Sequence, residues 1–304
     1  MRLFKNRGDI YIPATKLKSD LEQKILFAVL AFILAFTAVF VLIVGIKYDF
    51  SAKNFFKPKT MNSVEYNETK NLPAVKGKNN FLFILKNEDT SEIYMCSLIQ
   101  VDLDTLSYKV CSLKGETEIE NNKLTDIYKK GNAGNILNAV STFFGIEIDY
   151  FIDQSVKQYA DMFDYFGEIN YVVNEEIKYK DNSYYGFNIK IGSGDQRIDG
   201  NTAAKIIRYY MINEKYDTVN EFFCTALSQQ INPENYKIKE KQFSRLIDHS
   251  ITNITIRDFN EGTDELTVLC DETTGVNVYG VKPVYEGNFV IASSVDDIRG
   301  YFVK

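Results

Sequence analysis

The chain has 304 residues, enough for two average domains or one large one with an appendage, and 45% hydrophobic with 25% charged residues excludes a mainly disordered polymer. Its 35 Lys+Arg against 41 Asp+Glu give a net charge of -6, which argues against nucleic acid as the main partner. A single histidine, His249, rules out a multi-histidine metal site and disfavours a serine–histidine–aspartate centre, and Cys96, Cys111, Cys224 and Cys270 lack the CxxC spacing of a zinc ribbon.

The apolar residues are unevenly spread. Ile25 to Ile46 is a run without charge, bracketed by Lys24 and Lys47. At about 1.5 Å per residue it matches the roughly 30 Å hydrocarbon core of a bilayer. It is longer than the apolar core of a signal peptide and lacks an A-x-A site, so an uncleaved transmembrane anchor is expected in preference to a removed signal. Residues 1–24 carry six basic and three acidic groups, which mildly favours a cytoplasmic tail and leaves an acidic body beyond the membrane. Residues 47–78, with their scattered Asn and Pro, read as a tether.

From Phe81 onward strands and helices alternate. Phe81 to Leu85 suits a buried strand, and Ile93–Val101 with Tyr108–Leu113 reads as a hairpin that brings Cys96 and Cys111 near each other, as a disulfide or as two buried thiols. Helices are expected at Asn135–Phe144, at Val156–Phe166, after the N-cap Asp199, and after Asp217, with His249 near the end of a further helix. Strands are expected at Ile146–Ile152, Ile169–Val173, Ile251–Ile256, Leu266–Cys270 and Phe289–Ala292, with a last helix over Val295–Phe302. The pattern predicts one α/β domain over 79–304, a central mixed sheet flanked by helices. The aromatic stripes of Phe143, Phe144, Phe163, Phe166, Phe222 and Phe223 read as core, with a lining for an apolar ligand as the alternative.

Two stretches carry a family resemblance. Gly194-Asp195-Gln196-Arg197-Ile198-Asp199-Gly200-Asn201-Thr202-Ala203, followed by Ile207-Arg208, is similar to a G-E-Q-x-L-D-G-x-x-A-L-x-Y-V-R signature. Gly145-Ile146-Glu147-Ile148-Asp149-Tyr150-Phe151, then Phe163 to Ile169, is similar to L-G-I-x-I-D-Y-Y followed by F-x-x-L-V-D-x-L-G-G-V. On these the chain resembles the LytR-CpsA-Psr family of Gram-positive envelope proteins over roughly residues 78–304. The resemblance implies transfer of a glycopolymer, such as teichoic acid, from a polyprenyl pyrophosphate carrier to peptidoglycan. That chemistry needs arginines around the diphosphate, carboxylates for Mg²⁺ and an apolar slot for the prenyl chain.

Residue by residue, the resemblance makes Arg208 the catalytic arginine and Asp217 a catalytic or Mg²⁺-binding acid. Glu116 becomes the second candidate metal ligand, and Arg197, Lys114 and Lys205 become substrate-binding cations. Arg208 lies one residue past Ile207, about 100° round the helix, at the edge of its apolar stripe. The chain departs from the pattern where Gly115, Asn220 and Phe223 stand at positions the family fills with arginine. Five arginines follow the anchor in all: Arg197, Arg208, Arg245, Arg257 and Arg299. The residues therefore leave open a phosphotransferase with weakened or lost catalysis. A non-catalytic binder of a polyprenyl carrier, wall polymer or partner protein, and an anchored structural domain, are the alternatives.

Overall fold

The computed structural model describes residues 72–272 and 274–303. The expected anchor and most of the expected tether lie outside them, and among the described residues no helix is long and apolar enough to cross a membrane.

Strand β1 (Lys78–Lys86) organises the domain because both of its faces are apolar. Phe83 and Leu85, with Phe81 partly buried, enter one core, and Leu82 and Ile84 enter the other. Such a doubly covered strand reads as a continuous apolar run, not an alternating one. β2 (Ile93–Asp102) returns antiparallel along it and β3 (Ser107–Leu113) follows antiparallel to β2. A small hairpin, β4 (Glu118–Ile119) and β5 (Asn122–Lys123), leads into helices α1 (Leu124–Lys130) and α2 (Ala133–Phe144). β6 (Tyr150–Ser155) then runs parallel to β1. α3 (Val156–Phe166) is opened by a capping box between Ser155 and Gln158.

Three small-sheet strands come next, β7 (Ile169–Val173), β8 (Ile177–Lys180) and β9 (Asn188–Ile191), followed by β10 (Gly194–Ile198), which pairs with β7. Helices α4 (Gly200–Ile212), α5 (Tyr216–Gln230), α6 (Pro233–Tyr236) and α7 (Lys239–Asp248) lead to β11 (Ile251–Thr252). After α8 (Ile256–Glu261) and α9 (Thr263–Leu269) come β12 (Asn277–Gly280), β13 (Tyr285–Glu286), β14 (Phe289–Val290) and α10 (Ala292–Val303).

The main sheet has six strands in the order β11-β6-β1-β2-β3-β12, with parallel pairs at β1–β6 and β3–β12 and the rest antiparallel. This is the mixed sheet expected. Helices α3, α4 and α5 cover one face, around Tyr159, Phe163, Ile207 and Phe222. Helices α1, α2 and α10 cover the other, around Leu124, Ile136, Val140 and Phe302.

Several expected elements change. Leu266–Cys270 is not a strand but the last turns of helix α9 and its C-cap. A five-residue apolar run fits either period, and Asp264 and Glu265 in the first turn favour the helix by meeting its positive end. Ile251–Ile256 pairs only at Ile251 and Thr252, because Thr255 caps α8 in a reciprocal pair with Asp258. Ile146 and Ile148 are buried ahead of β6, whose pairing starts at Tyr150. Cys96 faces Leu113 and Cys111 faces Leu98, one diagonal step apart, and both are free thiols. Burial pushes the Cys111 thiol up to about 12.

Asp102 closes the β2–β3 turn. Its Oδ1 accepts from the backbone N–H of Asp104 and Thr105, each at 3.1 Å, and its Oδ2 faces Lys109 at 3.4 Å and Lys78 at 3.5 Å. Burial alone would raise this carboxyl, but the Thr105 N–H and the two lysines hold it below its ordinary value. Its stabilisation is therefore complete above the unfolded-state pKa near 3.9 and is lost as pH falls through the lower folded value. Asp102→Asn is expected to cost about 2–3 kcal/mol at neutral pH and to flatten the acid limb below about pH 4, read from urea midpoints against pH.

Candidate functional site

The signature stretch builds a strand-to-helix turn. Asp199 caps α4 by accepting from the Thr202 N–H at 2.7 Å, and the Gly200 N–H donates to Asp164 at 2.6 Å. A Cβ on Gly200 would lie 2.0 Å from the Ala160 carbonyl oxygen, so glycine is what lets α4 close on α3. These motif residues hold the helix that carries Arg208.

Arg208 sits at the carboxyl end of β1, where open α/β sheets place their ligands. Its guanidinium lies between the rings of Tyr94, at 4.3 Å, and Phe187, at 4.2 Å. Nη2 donates to the Tyr185 carbonyl at 2.9 Å and to the Tyr94 hydroxyl at 3.3 Å, which also accepts from Asn87 at 2.8 Å. Nε is buried with no partner among the described residues. Burial lowers the guanidinium pKa, partly offset by Tyr94, Asp181 and Glu92. Next to Asn87, Lys86 donates to Asp153 at 2.7 Å and to the Tyr128 hydroxyl, a buried ion pair between β1 and β6.

The other sequence candidates are spread out. Arg197 is exposed and paired with Glu168. Lys114 donates to Glu214 and to the Gly287 carbonyl, each at 3.1 Å. Lys205 lies on the first half of α4, where its charge helps keep the Asp199 carboxyl below its ordinary value after the Thr202 hydrogen bonds. Glu116 faces Lys123 at 3.8 Å and Asp217 faces Lys282 at 2.6 Å. Among the described residues no hydrogen bond or ion pair joins Arg208, Glu116 and Asp217 to one another. The two carboxylates are exposed and each faces a different lysine, and among the described residues no group of three or more His, Cys, Asp or Glu is placed to hold a metal.

The three positions without arginine are built into the fold. A Cβ on Gly115 would stand 1.9 Å from the Ile93 carbonyl oxygen. Asn220 accepts from the Ser112 N–H at 3.0 Å and donates to the Val281 carbonyl at 2.9 Å, continuing the β3–β12 ladder past its last pair. Phe223 packs against Phe83 at 5.4 Å and Tyr159 at 6.5 Å between ring centroids.

A cavity of about 480 Å³ opens on the same face of the sheet, at the opposite end of β1. Phe81 and Val101 form its floor, and Ile231, Phe243, Leu246 and Leu266 are among its walls, with Lys239 and the exposed Glu261 at its rim. The volume falls within the roughly 300–1,000 Å³ of small-molecule sites. Phe81 and Asn87 are separated by about 20 Å of extended strand. Between them Phe83 and Leu85 are covered by the aromatic core, so this face of β1 is filled between cavity and arginine. Of the six phenylalanines on helical stripes, Phe144, Phe163, Phe222 and Phe223 are core, as expected, Phe143 packs at its edge, and Phe166 lines the cavity.

The cavity is not evident from the sequence because most of its walls lie in 231–270, where α6 and α8 are not expected from the pattern and α9 replaces the expected strand at Leu266–Cys270. The signals were present: Asn232-Pro233 supplies an N-cap and a proline at N1, and Thr255 with Asp258 a capping box. His249 is the C-cap of α7, its Nδ1 3.1 Å from the Arg245 carbonyl oxygen.

The LytR_cpsA_psr family model matches residues 90–261, more than half of the chain. Among solved structures, the fold is similar to that of a protein from Eubacterium siraeum described as a transcription regulator, at TM-score 0.63 and 14% identity over 78% of this chain and 96% of that one. It is similar to B. subtilis TagV at TM-score 0.58 and 15% identity, over 75% and 97% of the two chains. It is also similar to TagT bound to LI-WTA, at TM-score 0.53 and 10% identity over 75% and 90%. No curated protein matches the chain.

Proposed function

The chain belongs to the LytR-CpsA-Psr family, and from that premise we propose that it serves cell-envelope glycopolymer attachment by binding a prenyl-type lipid carrier, with phosphoryl transfer weakened or lost. The apolar cavity under α6 to α9 carries the reading. An apolar chain buried there gains about 0.8 kcal/mol per methylene, so five or six carbons give about 4–5 kcal/mol, a millimolar-range contribution before binding costs, and about ten carbons are needed to reach the micromolar range. Lys239 at the rim has its ammonium 4.1 Å above the Tyr236 ring and 3.3 Å from Glu240, and Asp258, Glu261 and Glu265 also line the cavity, so its polar edge carries both signs. The weakened chemistry follows from Gly115, Asn220 and Phe223. Loss of one oxyanion donor typically costs about 2.7–4 kcal/mol of transition-state stabilisation, and three would remove most of a clamp. Arg208 keeps the signature position and remains the candidate for gripping an anionic group. In this reading residues 1–24 are cytoplasmic, 25–46 span the membrane and the α/β domain faces outward.

The test uses the detergent-solubilised full-length chain. It is titrated with a polyprenyl phosphate, then incubated with a lipid-pyrophosphate glycan and a peptidoglycan acceptor, with and without Mg²⁺. The expected result is saturable lipid binding without glycan transfer. Transfer that disappears in Arg208→Ala would instead establish the phosphotransferase, and absence of lipid binding would overturn the ligand reading altogether.

A further inference from the structure

We propose that the β8–β9 hairpin is a docking surface for a bilayer carrying anionic headgroups. One side of the hairpin is core: Ile177, Phe187 and Ile189 are buried. The other side is exposed and basic, with Lys178 directly opposite Lys190, and Lys180 opposite Asn188. Like charges in direct register weaken a hairpin, and this one has only four pairs to hold it. Lys178 shares its charge with Glu176 at 2.9 Å, while Lys180 and Lys190 have no carboxylate partner among the described residues. In a chain of net charge -6, so concentrated a positive face calls for an anionic partner.

The connecting loop says which anionic partner. Tyr184 is 91% exposed and Tyr185 39%, their rings edge to face at 4.8 Å. The loop that presents them is a built turn. The Ser183 N–H donates to Asp181 at 2.9 Å, and the Gly186 N–H to the Ser183 carbonyl at 2.9 Å. A Cβ on Gly186 would stand 2.3 Å from the Asp181 carbonyl oxygen. Two phenols are thus held outward at the tip. A soluble polyanion would engage the lysines and leave the phenols in water. A bilayer surface uses both, with ammonium groups at the level of the phosphates and amphipathic rings at the interface. Near an anionic surface each lysine improves partition about fivefold, so the two without a carboxylate partner amount to about twenty-five-fold. Because Arg208 donates to the Tyr185 carbonyl, docking would also bring that arginine to the membrane surface. The docking surface stands apart from the cavity, so its failure would leave the lipid-carrier reading untouched.

The chain has no tryptophan, so Tyr184→Trp gives the full-length protein a single fluorophore at the loop tip. Tyr279→Trp, on the edge strand of the main sheet and half exposed, serves as the control position. Both are measured on phosphatidylcholine vesicles with and without phosphatidylglycerol, using brominated acyl chains as quenchers. The expected result is blue-shifted, quenched emission at 184 alone, in the anionic vesicles alone. High salt, or joint Lys178→Gln, Lys180→Gln and Lys190→Gln replacement, should abolish it. Water-exposed emission at 184 on every vesicle, equal quenching at 279, or quenching that survives loss of the lysines would overturn the proposal. A shift with soluble polyphosphate but not with vesicles would overturn it in favour of a polymer.

Discussion

Phe223→Arg will unfold the domain instead of arming it. The position is one that the family resemblance fills with arginine, so the substitution is the direct way to ask whether a phosphate clamp can be put back. Here the side chain is 7% exposed and packed between Phe83, at the centre of β1, and Tyr159 of α3. Truncating a phenylalanine in such a place costs about 3–5 kcal/mol. A guanidinium without a carboxylate partner adds several kcal/mol of desolvation. Together these approach the whole stability of about 5–15 kcal/mol expected for a domain. Thermal melts followed by circular dichroism should therefore show no cooperative transition for Phe223→Arg, while Phe223→Leu keeps one. A folded Phe223→Arg protein that gains glycan transfer would show that the position is open to the site and that catalysis was lost by one substitution. Asn220→Arg should fail for a related reason, since it would leave the Ser112 N–H and the Val281 carbonyl unpaired inside the sheet.

The sheet and its first helices were legible because their signals are local and redundant. The apolar run at Phe81–Leu85, the turn at 102–107, and Gly145 in left-handed conformation at the end of α2 each point the same way. The 231–270 region was not, because its helices are short and mostly polar, and their apolar residues face a cavity instead of a filled core. Arg208 was found through the motif, but its rings were not: Tyr94 and Phe187 come from β2 and the end of the 181–187 loop, distant in sequence from α4. The roles of Gly115 and Asn220 were legible only as departures from a pattern. Their positive reasons, a carbonyl 1.9 Å from a would-be Cβ and a ladder continued by an amide, are properties of the folded backbone.

Leu266→Trp should separate a ligand site from a packing gap. Leu266 lines the cavity and is partly buried, so an indole there occupies open volume instead of displacing core. Filling a cavity normally leaves stability unchanged or raises it by about 0.5–2 kcal/mol, and the melting temperature should not fall. Binding should respond in the opposite direction. If the indole excludes four or five carbons of a bound chain, the loss is about 3–4 kcal/mol, several-hundredfold in affinity for a polyprenyl phosphate. A charge-reading site would be insensitive to this change and sensitive to Lys239→Ala at the rim, so the two variants divide the affinity between chain and headgroup. The lone indole is also its own reporter in a chain with no other tryptophan. In wild-type-like binding at reduced affinity, a brominated lipid should quench it only at concentrations that saturate the cavity. Undiminished affinity with an unquenched indole would mean that the lipid binds elsewhere, and the cavity would then be a feature of packing alone.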